Sequence, residues 1–234
     1  AMKAIENLHK ENKRIVFLSN APRPSATVIK YLKKLNMDDK YLDNVFTSGE
    51  AALKAIKLEK HGKKFYHLGP EKDQSLFMGL ERNKTSLVDC DYILCTGLFD
   101  KTMNNLEYYS NLLSRFTSKI FICTNPDLTV HKGETEEYCA GTVASIFQKL
   151  GGKVIYYGKP YEEVYKMCLI NDQKTLIIGD NLRTDIKGAN NLKLDSIFIS
   201  NGVHREEFKN ENELKNLLNK YNVKVNFYQS NLKW

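Results

Sequence analysis

Residues Thr175–Asp185 read TLIIGDNLRTD, and this stretch decides the expected fold. An apolar run ends in Gly179-Asp180, and a second acid, Asp185, stands where a helix is expected to begin. Ligands of an open parallel sheet bind at the carboxyl ends of its strands. Carboxylates delivered there suit Mg²⁺, and a helix N-terminus favours negative charge. The same residues also fit a helix N-cap beside a surface acid, so both interpretations stay open here.

A second segment, Arg14–Asn20 (RIVFLSN), is a short apolar run that ends in two polar residues. It predicts a buried strand that delivers Ser19 and Asn20 to its carboxyl end. A hydroxyl and an amide at that position can donate hydrogen bonds to a phosphate oxygen. A common Ser/Asn turn after a strand would look the same.

A third segment, Tyr157–Pro160 (YGKP), places a lysine directly after a predicted strand. Pro160 favours a helix start there. A lysine held at a strand end can neutralise phosphate charge in a transition state. The alternative is a solvated lysine in a turn.

Strand and helix signals alternate along the whole chain, which predicts an α/β protein with a mostly parallel sheet. The predicted strands are 14–18, 45–48, 64–68, 92–96, 120–124, 153–157, 175–178, 196–199 and 224–228. The predicted helices are 2–13, 25–35, 50–57, 104–116, 140–150, 161–170, 185–191 and 211–221.

Composition limits the classes of function. The chain has 234 residues and a formal net charge of +7. Its lysines are interleaved with acids and not clustered, so we expect no nucleic-acid partner and an anionic small-molecule ligand instead. No apolar run approaches the roughly 18 to 20 residues that span a bilayer, so we expect no membrane association. The five cysteines form no CxxC pair, which predicts buried thiols in a cytoplasmic protein.

The order of these segments resembles the haloacid dehalogenase superfamily, whose motifs two, three and four are matched by Ser19, by Lys159, and by Asp180 with Asp185. The insertion between motifs two and three resembles the class IIA cap of NagD-like and nitrophenylphosphatase-like members, and Cys123–Asp127 (CTNPD) matches that class's TNPD segment. Further phrases point to a bacterial subfamily of that class: FLSNAPRP, TSGEA, HLGPEKD, CTGLFD, CAGTVA and a closing L-x-W.

The resemblance implies a three-layer Rossmann-like core, residues 1–46 and 155–234, with an inserted α/β C2-type cap at 47–154. It implies Mg²⁺-dependent hydrolysis of a phosphorylated small molecule. The residue roles that it implies are phosphate binding by Ser19, Asn20 and Lys159, charge balance and catalysis by Lys159 and Asp185, metal binding by Asp180 with Asp185, and substrate contact from the cap by Asn125 and Asp127.

One part of the family pattern has no match among these residues. Motif one, which carries the nucleophilic aspartate, should precede motif two, but no aspartate occurs before Asp38. We therefore expect a chain that starts after motif one, is inactive as it stands, and binds Mg²⁺ weakly or not at all. A non-catalytic role, binding phosphorylated ligands or a partner protein, is the alternative.

The motif-one strand of the family lies at the centre of its sheet, between the strands that end in motifs two and four. Unpaired buried backbone groups cost about 1 to 3 kcal/mol each. We therefore expect the strands at Arg14–Leu18 and Thr175–Ile178 to pair directly. A strand from a second molecule, which would make a homodimer, and a water-filled slot are the alternatives.

Overall fold

The structure is a computed structural model that describes residues 1–132 and 135–234. The chain forms two compact units. Unit 1 comprises Ala1–Phe17, Lys33–Asn44 and Lys159–Trp234, and unit 2 comprises Leu18–Leu32 and Val45–Gly158. No helix in the described part of the chain is long and apolar enough to cross a membrane.

The elements follow the predicted alternation. The helices are α1 Met2–Lys10, α2 Ser25–Lys34, α3 Ser48–Lys57, α4 Leu106–Leu113, α5 Ala140–Lys149, α6 Glu162–Tyr165, α7 Lys187–Asn191 and α8 Glu211–Tyr221. The strands are β1 Phe17–Ser19, β2 Val45–Thr47, β3 Phe65–Leu68, β4 Tyr92–Cys95, β5 Ile120–Cys123, β6 Thr129–Lys132, β7 Thr135–Tyr138, β8 Lys153–Tyr156, β9 Leu176–Gly179, β10 Asp195–Ile199 and β11 Phe227–Gln229.

Unit 2 contains a parallel four-stranded sheet in the order β3-β4-β5-β8. Its central strands are apolar at every position, as expected for strands covered on both faces. Ile93, Phe121 and Phe147 are fully buried in its core, where the two phenylalanine rings stack at 4.9 Å. The parallel pairing of β3, β4 and β5 places their carboxyl ends at the same edge of the sheet.

Unit 1 contains a parallel three-stranded sheet in the order β11-β10-β9. Phe198 of β10 packs with Leu214 and Leu217 of α8 and with Leu182 and Ile186 of the turn after β9. Burying Leu182 and Ile186 holds that turn against the core. The residues between them therefore have a defined position at the end of β9.

The prediction that the strands at Arg14–Leu18 and Thr175–Ile178 pair directly is wrong. In the described part of the chain, β1 pairs with β2, and β9 pairs with β10 alone. The reason lies in the residues beside β1: Phe17 N donates to Asn44 O at 2.9 Å, and Ala21 O accepts from Gly49 N at 3.1 Å. These bonds commit β1 to the strand that leads into α3.

Three local features of the structure also differ from the sequence analysis. The helix expected at 161–170 is short, ending at Tyr165, and a π-helical turn, Leu182–Ile186, precedes α7. The hairpin of β6 and β7 was not predicted. All five cysteines are buried and free of disulfides, as expected.

The division into a core of 1–46 and 155–234 and a cap of 47–154 stays a prediction. The two units differ from it mainly at Leu18–Leu32, which belong to unit 2. Hydrogen bonds explain this grouping, because Thr47 and Ser48 donate to backbone carbonyls in that segment.

Candidate functional site

Asp180 and Asp185 lie where β9 ends and the π-helical turn begins. Asn181 caps this turn by accepting a bond from Arg183 N at 2.9 Å. The Asp185 side chain folds back to the start of the turn, where Oδ2 accepts from Asn181 N at 3.1 Å. Single π-turns often occur at functional sites. The turn therefore presents one acid before it and one inside it.

Lys159 forms an ion pair with Asp185 in unit 1. The distance from Lys159 Nζ to Asp185 Oδ1 is 2.6 Å, and the two side chains are only 16% and 9% exposed. Motif three and the second acid of motif four, predicted separately, therefore meet in one contact. Each carboxylate oxygen of Asp185 already accepts a hydrogen bond, so a metal ion bound directly to this residue would share these oxygens with Lys159 and Asn181 N or displace them.

Two glycines make room for these acids. A Cβ at Gly179 would lie 2.2 Å from Asp185 Cγ, and a Cβ at Gly202 would lie 2.2 Å from Asp180 Oδ2. Val203 N donates to the same Asp180 oxygen at 3.1 Å. The close approach of the carboxylates, and not only a tight turn, therefore explains why glycine follows the apolar run at 179.

A buried histidine that the sequence analysis missed supports the turn. His204 is 1% exposed, and its Nε2 accepts from Leu182 N at 3.1 Å. Nδ1 therefore carries the ring hydrogen and donates to Glu207. Tyr221 also donates to Glu207, at 3.0 Å, and accepts from Arg183 at 2.9 Å. This network ties the start of the turn to Tyr221 at the end of α8.

Motif two lies in unit 2 together with the TNPD segment. Ser19 Oγ accepts from Ala21 N at 3.1 Å, which closes a tight turn after β1. Asn20 is buried, and its Nδ2 donates to Asp127 Oδ1 at 3.1 Å. Asn125 Oδ1 accepts from Asp127 N at 3.1 Å. The structure thus brings Ser19, Asn20, Asn125 and Asp127 together in one group, within a single unit.

The TSGEA segment has a structural purpose that the sequence did not reveal. Thr47 Oγ1 donates to Arg23 O at 2.6 Å, and Ser48 Oγ donates to Ala21 O at 2.9 Å. Two hydroxyls at the start of α3 therefore satisfy carbonyls in the loop that follows Asn20. They fix the loop that carries the polar residues of motif two.

Comparisons with known proteins agree with this geometry. A profile of haloacid dehalogenase-like hydrolases matches residues 1–81, and a HAD-hydrolase-like profile matches residues 156–220. A crystal structure of a haloacid dehalogenase-like hydrolase from Brucella suis superposes with a TM-score of 0.85 and 27% identity, covering 100% of this chain and 88% of that one. The chain belongs to the haloacid dehalogenase superfamily, class IIA.

Two further relatives match with lower identity or over a shorter stretch. Ribonucleotide monophosphatase NagD of Escherichia coli is 36% identical over 87 residues, 36% of this chain. The match spans about a third of that relative, 34% of its length. The p-nitrophenyl phosphatase of Archaeoglobus fulgidus, 18% identical, shares the fold with a TM-score of 0.75, covering 98% of this chain and 88% of that one.

In the described part of this haloacid dehalogenase chain, Asp180 is the acid of the site that best suits a Mg²⁺ ion. The described residues contain no group of three or more His, Cys, Asp or Glu side chains arranged to hold a metal. Among the hydrogen bonds of the described residues, Asp180 accepts through Oδ2 and not through Oδ1. Mg²⁺ often binds through one or two carboxylates and completes its shell with water and substrate phosphate. The residues present therefore suit a hydrated ion that is completed by phosphate.

A second buried network lies at the carboxyl ends of β3 and β4. His67 Nε2 and Thr96 Oγ1 are 2.9 Å apart and share a hydrogen bond. Burial and, to a smaller degree, the charge of Lys84 lower the pKa of His67 to about 4. His67 is therefore neutral near pH 7.

The stability of unit 2 should fall as the pH drops from about 6.5 to about 4. His67 has a lowered pKa in the folded state, so the unfolded chain binds the proton first and stability is complete only above the unfolded pKa. The lowered pKa of His67 corresponds to a loss of unfolding free energy of about 3 kcal/mol at most over this pH range. His67→Gln keeps a hydrogen-bond partner for Thr96 and should flatten this pH dependence.

Urea denaturation of both proteins at pH 7, 5.5 and 4.5 tests this prediction. Burial raises the pKa of Asp73, although Arg23 and Thr96 oppose the shift. This raised pKa makes stability increase as the pH drops, and it does so in both proteins. The difference between the two proteins therefore isolates the contribution of His67. Parallel curves for the two proteins would contradict it.

Proposed function

We propose that this scaffold supports Mg²⁺-dependent hydrolysis of phosphate monoesters of small molecules. The observation that carries the proposal is the Lys159–Asp185 pair at 2.6 Å beside Asp180 at the end of β9. A buried cation held in place by a carboxylate is suited to meet a dianionic phosphate, because a preorganised charge needs no reorganisation during the reaction. The relatives named above, NagD and p-nitrophenyl phosphatase, are phosphatases by name.

In unit 1 the proposal assigns charge balance to Lys159 and metal binding to Asp180. Asp185 orients Lys159 through the ion pair and supports the metal site through its position in the turn. When bound, Mg²⁺ supplies Lewis-acid neutralisation of phosphate charge. The His204 network keeps Asp185 in place by holding Leu182 N.

In unit 2 the proposal assigns phosphate hydrogen bonds to Ser19 and Asn20. Asn125 and Asp127 orient Asn20, because Asp127 accepts from its amide; they contact the rest of the substrate as a secondary role. The nucleophile of the full reaction would be an aspartate that is not among residues 1–37. A carboxylate nucleophile forms a covalent intermediate and divides the displacement into two easier steps.

The alternative function is binding without turnover, either of a phosphorylated ligand or of a partner protein. It rests on the same phosphate-binding residues. Phosphate binding is common to the enzyme and to the ligand-binding alternative, so it is the first property to measure.

Inorganic phosphate should bind to the 234-residue chain, and Ser19→Ala or Lys159→Ala should weaken it by about tenfold or more. Bonds to charged groups contribute about 1.5 to 3 kcal/mol, which sets this size. Calorimetric titration with phosphate measures the effect, and circular dichroism confirms that each variant is folded.

Lys187→Ala is the matched control, because it removes one positive charge from unit 1 and only a backbone contact with Asn222. Affinity that is the same in all four proteins would overturn the proposal. So would equal weakening by Lys187→Ala, since this would mean that overall charge alone attracts phosphate.

A further inference from the structure

Arg23 is held in place from both ends in unit 2. Its carbonyl accepts from Thr47, and its Nε donates to Asp73 Oδ1 at 2.7 Å. The Asp73 side chain is 2% exposed, whereas that of Arg23 is 35% exposed. The guanidinium group thus has one edge fixed in the interior and another open to solvent.

The buried partner distinguishes this contact from an ordinary surface ion pair. Exposed pairs contribute little to stability, and burying a carboxylate is costly unless several donors satisfy it. Asp73 accepts a hydrogen bond from Arg23, and Thr96 adds to the interactions that oppose the rise of the Asp73 pKa on burial. The buried carboxylate of Asp73 therefore fixes the orientation of Arg23.

The outer nitrogens of Arg23 are available for recognition. Within the described residues, Nη1 and Nη2 make no hydrogen bond to protein atoms, since the contact to Asp73 uses Nε. Paired guanidinium nitrogens match the planar geometry of a carboxylate. Arg23 follows Ser19 by four residues, which limits their Cα separation to about 14 Å even in a fully extended chain.

We propose that Arg23 recognises a carboxylate on the substrate whose phosphate is bound by Ser19 and Asn20. The substrate class is then a small phosphate monoester that also carries a carboxylic acid. This inference rests on the proposed function and names its specificity. The net charge of +7 favours such multiply charged ligands over neutral ones.

A matched pair of ligands tests it by calorimetry without any turnover. 3-Phosphoglycerate and glycerol 3-phosphate have the same three carbons and the same phosphate, and differ by a carboxylate in place of a hydroxymethyl group. The wild-type chain should bind 3-phosphoglycerate about tenfold more tightly, as expected for one charge-assisted contact.

Arg23→Lys should reduce this affinity ratio to about one. It keeps a positive charge for Asp73 but loses the planar pair of outer nitrogens. The double variant Arg23→Gln/Asp73→Asn removes both charges together and provides a second test if the single variant is unstable. Arg82→Lys, at an exposed arginine of the same unit, is the control and should keep the wild-type ratio.

The outcomes separate the two proposals. If glycerol 3-phosphate binds through Ser19 but the wild-type ratio is one, or if Arg23→Lys keeps the full preference, Arg23 only tethers Asp73 and the inference fails alone. If neither ligand binds at millimolar concentration, the proposed function fails and the inference fails with it.

Discussion

The 234-residue chain is expected to hydrolyse p-nitrophenyl phosphate at least about 10⁴-fold more slowly than a chimera that carries the motif-one strand of a class IIA phosphatase ahead of Met2. Removing a nucleophile usually costs several orders of magnitude in kcat. Lys159 and Asp185 form an ion pair in unit 1, and Asp180 directly follows β9, but the family pattern places none of them as the attacking group.

A Mg²⁺-dependent rate assay of both proteins checks this expectation. Two controls accompany the chimera: replacement of its added aspartate by asparagine, and Asp180→Ala. Both should return the rate to that of the original chain. Rapid Mg²⁺-dependent hydrolysis by the original chain that disappears in Asp180→Ala would show that another residue acts as nucleophile.

The second large effect concerns stability. Lys159→Ala should lower the free energy of unfolding of unit 1 by about 3 to 5 kcal/mol, because it leaves the carboxylate of Asp185 buried and unpaired. Asp185 is 7% exposed and retains only the bond from Asn181 N. Removing one partner of an exposed ion pair would lower the free energy of unfolding by less than about 1 kcal/mol in the same experiment.

A double-mutant cycle separates the interaction energy of Lys159 and Asp185 from the effect of each single substitution. Lys159→Ala/Asp185→Asn should recover much of the loss, since removing both charges avoids the unpaired carboxylate. Hydrogen exchange of the β9 and β10 amides in increasing urea reports the stability of unit 1 itself. Lys187→Ala, at a half-buried lysine of the same unit, serves as the control and is expected to change stability by no more than about 1 kcal/mol. A loss of that small size in Lys159→Ala would contradict the prediction.

Local patterns predicted most elements because they depend on nearby residues. The helix at Glu211–Tyr221 has the predicted bounds, and its apolar Leu214 and Leu217 pack in the core of unit 1. The hairpin of β6 and β7 escaped prediction because the sequence of 129–138 is largely polar and β7 has no buried residue. The π-turn was missed because His204, 22 residues from Leu182, stabilises it.

The candidate site also has some features that the sequence predicted and others that only the structure decided. The sequence by itself placed Ser19 and Asp180 at strand ends, Lys159 in the turn after a strand and Asp185 at a helical turn, because apolar runs and the polar residues that follow them are local features. Their order along the chain was also sufficient to indicate the superfamily.

Only the tertiary structure decided which of these side chains meet. Lys159 and Asp185 are 26 residues apart in the chain, and Arg23 and Asp73 are 50 apart. It also decided that β1 pairs with β2 and not with β9. Such contacts form between segments that are distant in the sequence and meet only when the strands and loops of the folded chain pack together. A sequence pattern encodes burial and local conformation, but it does not specify which distant partner satisfies a buried charge.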